Sequence, residues 1–294
     1  VSRFWHRNGS FLFKINTRNI KHSKKILILG ASGFLGSALI KELSPYYDVY
    51  GTYARDNATL ESNKRMFQWN AETETLSLLL DELAPDLIIS AIRGDFTAQT
   101  HVHFEIIAYL IKFQKKLIFI SSANVFDVFT NYPSYEYDKT LSESVYGRFK
   151  IRIENALLRL PNPLYTIVRL PMIYGHNSPR VKELKLQHEL KEPIEVFPNV
   201  VINATTQDKF AQQIHYIINR ELNGVYHLGS QNLIHHKELI YDILKGLELE
   251  QPIFKNVYNS NEDRYIAVIP KENILPKNLQ ITIEEVVADS VKLS

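Results

Sequence analysis

A chain of 294 residues, 45% apolar and 22% charged, is large enough for one substantial core with a smaller lobe beside it. The formal charge of +2 supplies no basic stripe for nucleic acid, and the absence of cysteine excludes disulfides and thiolate catalysis. No apolar run is long enough to cross a bilayer, so the chain reads as a soluble, cytoplasmic protein with no membrane partner.

Residues 1–24 carry Arg3, Arg7, Lys14, Arg18, Lys21 and Lys24 and no acidic residue. They read as a basic, poorly ordered extension, with a targeting peptide or a packed arm as the alternatives. From residue 25 the pattern becomes regular. The apolar run from Lys25 to Gly30 predicts a buried parallel strand, and Phe34 to Leu43 an amphipathic helix. Strands follow at Asp48 to Tyr53, Leu87 to Ser90, Lys116 to Ser121 and Tyr165 to Leu170. Helices alternate with them at Leu76 to Leu83, Phe104 to Phe113 and Ser144 to Leu160. Such alternation predicts an α/β fold with a Rossmann-like, doubly wound parallel sheet over residues 25–175. Residues 176–294 are less regular, with helices at Val181 to Leu190, Thr206 to Asn219 and Lys237 to Lys245. A strand at Val225 to Leu228 and a last helix from Glu284 to Lys292 complete them. This part is expected to form a small substrate lobe, with some elements returning to the main domain.

Between the first strand and the first helix lies Gly30-Ala31-Ser32-Gly33-Phe34-Leu35-Gly36. In that context Gly30 permits a sharp turn, Gly33 lets the backbone approach a pyrophosphate and Gly36 permits close helix–strand packing. The backbone N–H groups of Ser32, Phe34 and Leu35 are the expected phosphate donors. A purely structural tight turn is the alternative. The second strand ends Gly51-Thr52-Tyr53-Ala54-Arg55-Asp56, with no carboxylate where NAD(H) would be gripped. Arg55 can meet a 2′-phosphate, which favours NADP(H) over NAD(H), although Asp56 could turn to the ribose or pair with Arg55. Asn70 is placed either to cap the adenine ring or simply to make a turn.

Tyr146 and Lys150 are four apart on a predicted helix and leave the same face. An ammonium beside a phenol favours the phenolate, which makes tyrosine an acid–base group near neutrality. Ser122, at the end of a buried strand, can donate to a carbonyl oxygen as negative charge develops on it. His235-His236 lack a ligand-like partner pattern, so no metal is expected.

The chain resembles the extended short-chain dehydrogenase/reductases, and more narrowly the dTDP-4-dehydrorhamnose reductase family of sugar-nucleotide reductases. The matching pieces are Gly30 to Gly36, Phe119-Ile120-Ser121-Ser122-Ala123-Asn124-Val125-Phe126-Asp127, Tyr146-Gly147-Arg148-Phe149-Lys150 and Val168-Arg169-Leu170-Pro171-Met172-Ile173-Tyr174-Gly175. The resemblance implies catalytic roles for Ser122, Tyr146 and Lys150. It implies a nicotinamide lined by the strand-end residues around Leu170-Pro171-Met172, with Ala91, Ile92 and Arg93 as further cofactor-binding candidates, and a sugar nucleotide held by Ser122, Asn124, Val125, Arg180 and Arg264, with Lys182 and Lys271 as further cations. It also implies hydride transfer to the C4 ketone of a deoxyhexose nucleotide, and a homodimer. The chain departs from the family pattern at Ser90-Ala91-Ile92-Arg93-Gly94-Asp95-Phe96, where Arg93 brings a charge near the cofactor path. The family's relay asparagine has no clear match among Gln99-Thr100-His101-Val102-His103; His103 could take its place but reads as a helix-surface histidine. Two rivals stay open: an NADP-binding regulatory protein without turnover, and a sugar-nucleotide epimerase or dehydratase that returns the hydride to its substrate.

Overall fold

The computed structural model describes residues 24–292; the basic extension therefore lies outside the described residues apart from Lys24. The first half is a run of alternating elements: β1 (Lys25–Leu29), α1 (Phe34–Leu43), β2 (Asp48–Tyr53), the short α2 (Ala58–Glu61), β3 (Met66–Gln68), α3 (Ser77–Leu83), β4 (Leu87–Ser90), α4 (Phe96–Phe113), β5 (Lys116–Ser122), α5 (Val145–Leu157) and β6 (Tyr165–Leu170). The second half holds β7 (Met172–Tyr174), α6 (Pro179–Glu189), β8 (Ile194–Val196), β9 (Val200–Ile202), β10 (Ala204–Thr206), α7 (Gln207–Asn219), β11 (Gly224–His227), β12 (Ile234–His235), α8 (His236–Gly246), β13 (Phe254–Asn256), β14 (Arg264–Ile266) and α9 (Ile283–Ser290).

Seven strands form one sheet in the order β11-β6-β5-β4-β1-β2-β3, and every pairing in it is parallel. This is the doubly wound Rossmann arrangement. The near-continuous apolar sequences of β1, β4, β5 and β6 follow from burial on both faces. On one face Ile26, Ile28, Ile118, Ile120 and Val168 pack against Leu39 and Leu43 of α1 and Phe210, Ile214 and Ile217 of α7. On the other, Leu27, Leu29, Ile88, Phe119 and Ile167 pack against α3, Val102, Ile106 and Leu110 of α4, and Phe149, Ile153 and Leu157 of α5. A separate apolar core joins α6, α8, α9 and the short strands β7 to β10 into a lobe at the carboxyl ends of the main strands.

One element is longer than its sequence suggests. The helix expected from Phe104 begins at Phe96, where the Asp95 carboxylate caps the Ala98 N–H at 2.8 Å. Its first turns carry Thr97, Gln99, Thr100 and His103, which give no apolar period. Gln99 and Thr100 are nevertheless buried, and each bonds a backbone carbonyl, of Gly94 and Phe96 respectively. Among the described residues no helix is long and apolar enough to cross a membrane.

Candidate active site

A parallel sheet whose strand order reverses between β1 and β4 leaves a crevice beyond their carboxyl ends. Here it is a cleft of about 770 Å³, walled by Phe34 and Leu35 of α1, the Ser90–Gly94 segment, the end of β5, Tyr146 and Lys150 of α5, and Pro171, Met172 and Arg180 from the lobe side. The glycine turn shapes its floor. Gly30 adopts a φ of +78°, and a Cβ on Gly36 would overlap the Gly30 carbonyl, so α1 packs onto the turn only because position 36 has no side chain. Gly33 is the N-cap of α1 and offers no side-chain cap, so the first-turn N–H groups at Phe34 and Leu35 stay available beside the cleft. Asn57, Asp95, Ser144, Ser178, Thr206 and Thr282 do cap their own helices. An uncapped, side-chain-free helix start fits the diphosphate of a dinucleotide.

The end of β5 and the start of α5 bring three predicted residues together. The Ser122 hydroxyl donates to Asn124 Oδ1 at 2.9 Å and accepts the Asn124 backbone N–H at 3.2 Å. Tyr146 is 38% exposed toward the cleft, and its ring packs on Phe96 with centroids 5.9 Å apart. Lys150 is only 7% exposed. Its Nζ donates to the Ile120 carbonyl at 2.8 Å and lies 4.7 Å from the Phe119 ring centroid, 5.2 Å from that of Phe149 and 5.6 Å from that of Tyr146.

This geometry corrects the expected electrostatics. Burial holds the Tyr146 phenol above its ordinary range, opposed by the neighbouring Ser122 hydroxyl and by the Arg93 charge. The Lys150 ammonium lies 5.6 Å from the centre of the Tyr146 ring, and burial outweighs its pull on the phenol. Burial instead pushes Lys150 itself down from 10.5 to about 7, with Glu154 opposing the shift and Arg93 reinforcing it. An unfolded lysine binds its proton up to pH 10.5, whereas the folded one releases it above about 7. In that window the unfolded chain holds more protons, so this lysine makes stability rise with pH, by up to about 1.4 kcal/mol per pH unit. Lys150→Met is expected to be more stable than the parent near pH 7, with the gap closing by pH 10. Urea unfolding of both proteins across this range measures it, and parallel pH profiles would contradict it.

His103 is fully buried, not on the surface: its helix extends two turns further back and turns it onto Phe119 and Phe149. Nδ1 lies 2.6 Å from the Gln99 carbonyl and Nε2 lies 2.9 Å from Ser90 Oγ. Behind α5, Arg169 of β6 makes a two-pronged ion pair with Glu154 at 2.7 and 3.1 Å, both side chains almost fully buried. Arg169 also donates to the Glu136 carbonyl at 2.7 Å and to His227 Nε2.

A family described as the RmlD substrate binding domain matches residues 24–273. The chain belongs to this family. The spore coat polysaccharide biosynthesis protein SpsK of Bacillus subtilis (strain 168) is 24% identical over 245 residues, which is 78% of this chain and 81% of that protein. The dTDP-4-dehydrorhamnose reductase of Bacillus anthracis, solved in complex with NADP, is similar with a TM-score of 0.69 at 21% identity, covering 90% of this chain and 98% of that one. The dTDP-glucose 4,6-dehydratase of the same organism, in complex with NAD, gives a TM-score of 0.74 at 16% identity over 92% and 96% of the two chains. This RmlD-family chain is thus an extended short-chain dehydrogenase/reductase and an NAD(P)-dependent oxidoreductase of the sugar-nucleotide class.

Of the residues singled out from the sequence, Phe34, Leu35, Ala91, Ile92, Arg93, Ser122, Asn124, Tyr146, Lys150, Pro171, Met172 and Arg180 line the cleft. Gly30, Ser32, Gly33 and Gly36 form the turn beneath it. Val125 does not line the cleft: it is buried with Ala123, Phe126 and Val268. Arg264 is half-buried and donates to Thr130 Oγ1 and the Asp127 carbonyl, tying β14 to the loop after Phe126. Asn70 makes a turn, its side chain accepting the Glu72 N–H at 3.0 Å. Asp56 accepts from Gln68 Nε2 at 2.7 Å rather than from Arg55, which is exposed and has no ion pair among the described residues. Lys182 and Lys271 lie outside the cleft wall; Lys271 sits over the Tyr135 ring. Ser90, Gln99 and Ser121 were missed as cleft residues because strand-end and early-helix polar positions resemble ordinary loop chemistry.

Proposed function

We propose that the protein reduces the C4 ketone of a deoxyhexose nucleotide with NADPH, in the manner of a dTDP-4-dehydrorhamnose reductase. The observation that carries this is the meeting of Ser122, Tyr146 and Lys150 in one cleft that the uncapped start of α1 also lines. When bound, a reduced nicotinamide would be held at Ala91, Ile92, Arg93, Pro171 and Met172 and would supply the hydride that the carbonyl carbon takes up. Ser122 turns its hydroxyl from Asn124 to the carbonyl oxygen and stabilises the charge growing there. Tyr146 gives its proton to that oxygen, completing the alcohol, and Lys150 and Arg93 stabilise the phenolate left behind. A phenol held above its ordinary range is protonated at neutral pH, which is the form that reduction requires. Arg93 and Arg180 supply cations within the cleft for the diphosphate groups.

Net oxidation of NADPH with a dTDP-4-keto-6-deoxyhexose supports this reading. Turnover of a nucleotide sugar without net oxidation indicates an epimerase or dehydratase. Stoichiometric binding of cofactor with no reaction across a panel of keto sugar nucleotides indicates a regulatory protein. In the same assays Arg55→Ala is expected to raise the Kd for NADPH about tenfold or more and leave NADH unchanged. Equal effects on both cofactors would remove the NADP preference.

A further inference from the structure

Ser90 and His103 form a buried couple that the proposed chemistry leaves unused. The Gln99 carbonyl can only accept, so His103 Nδ1 carries the hydrogen of that 2.6 Å contact. Burial lowers the His103 pKa from 6.5 to about 3, which keeps the ring neutral at working pH and leaves Nε2 bare. The 2.9 Å contact with Ser90 is therefore a hydrogen bond donated by the serine. Ser90, 3% exposed and part of the cleft wall, has its single proton committed and only lone pairs left to offer.

The couple adjoins Lys150. Ser90 pairs in register with Phe119, His103 meets the Phe119 ring edge-on at 5.0 Å, and the Lys150 ammonium lies over that ring. On the same sheet face, one layer further along β5, Ser121 Oγ is buried, lines the cleft and has no partner among the described residues. In its ammonium form Lys150 can only donate. A ligand hydroxyl that accepts from it still has a hydrogen to place, and in this wall an acceptor with a fixed tautomeric support is at hand. Resting on the cofactor site proposed above, we propose that Ser90 accepts a hydrogen bond from a nicotinamide-ribose hydroxyl, with His103 as the positioning residue that denies Ser90 any donor role.

The test is cofactor affinity, measured by fluorescence titration with three ligands: NADPH, an analogue whose nicotinamide ribose is 2′,3′-dideoxy, and the 3-acetylpyridine analogue, which lacks the carboxamide N–H groups. Ser90→Ala is expected to weaken NADPH binding about five- to tenfold. It should weaken the acetylpyridine analogue equally and leave the dideoxy analogue unchanged. His103→Phe, which frees the Ser90 proton, should follow the same pattern with a smaller loss of about threefold. Loss of affinity for all three ligands would reduce the couple to a structural pin between β4 and α4. A loss that disappears only with the acetylpyridine analogue would move the contact to the carboxamide and overturn the ribose assignment. Unchanged NADPH binding in Ser90→Ala, with the parent protein binding normally, would overturn this proposal alone; a parent that binds no dinucleotide would overturn the cofactor site as well. Independently of any variant, nitrogen-15 NMR of the parent should show His103 neutral and protonated at Nδ1 from pH 5 to 9. An Nε2–H tautomer would end the proposal.

Discussion

Tyr146→Phe is expected to lower kcat for ketone reduction by about 10²–10⁴-fold while leaving cofactor Kd within about twofold of the parent. The variant removes one oxygen. The ring contact with Phe96, the Lys150 bond to the Ile120 carbonyl and the Ser122–Asn124 pair are all independent of that oxygen, so α5 keeps its place. Stopped-flow oxidation of NADPH with a keto sugar nucleotide reads the chemical step, and equilibrium titration reads binding. Undiminished turnover would remove the phenol from the reaction. Equal losses in kcat and cofactor affinity would make Tyr146 a binding residue instead.

The second large effect is on stability. Arg169→Met is expected to cost about 3–5 kcal/mol, because it strands the Glu154 carboxylate in the core. Glu154 lies one helical turn from Lys150 on α5, and Arg169 spans from there to the Glu136 carbonyl and His227 of β11. Adding Glu154→Leu should regain more than half of the loss, since no unpaired charge then remains. Urea midpoints of the two single variants and the double variant close the cycle. A double variant no more stable than Arg169→Met would show that the Glu136 and His227 contacts, not the ion pair, carry the energy.

The legible parts of this chain are those in which one physical demand dominates. β1, β4, β5 and β6 are apolar throughout because both faces are covered, and the glycine turn is readable because α1 must touch the Gly30 carbonyl. Ser122, Tyr146 and Lys150 were found from chemistry and spacing and do meet at the cleft. What could not be read depends on burial of polar groups. The first turns of α4 look like a loop because Gln99, Thr100 and His103 satisfy their hydrogen bonds internally. The three-residue strands of the lobe are too short for any period to emerge. Val125 and Arg264 matched a pattern, but their neighbours occupy them with packing and backbone contacts. The direction of the Tyr146 shift depended on how deeply the phenol is buried, and i,i+4 spacing does not specify that.

The way the second half of the chain is threaded has a consequence for motion. It leaves the main sheet at Pro171, returns at Thr206 to lay α7 against α1 and β11 beside β6, and leaves again after Leu228. Several covalent strands thus tether the lobe to the dinucleotide-binding half, so it cannot swing as a flap on a single pivot. Any narrowing of the crevice around its guests therefore has to bend all of these crossings together, next to the junction where Met172–Tyr174 pairs with Ala204–Thr206.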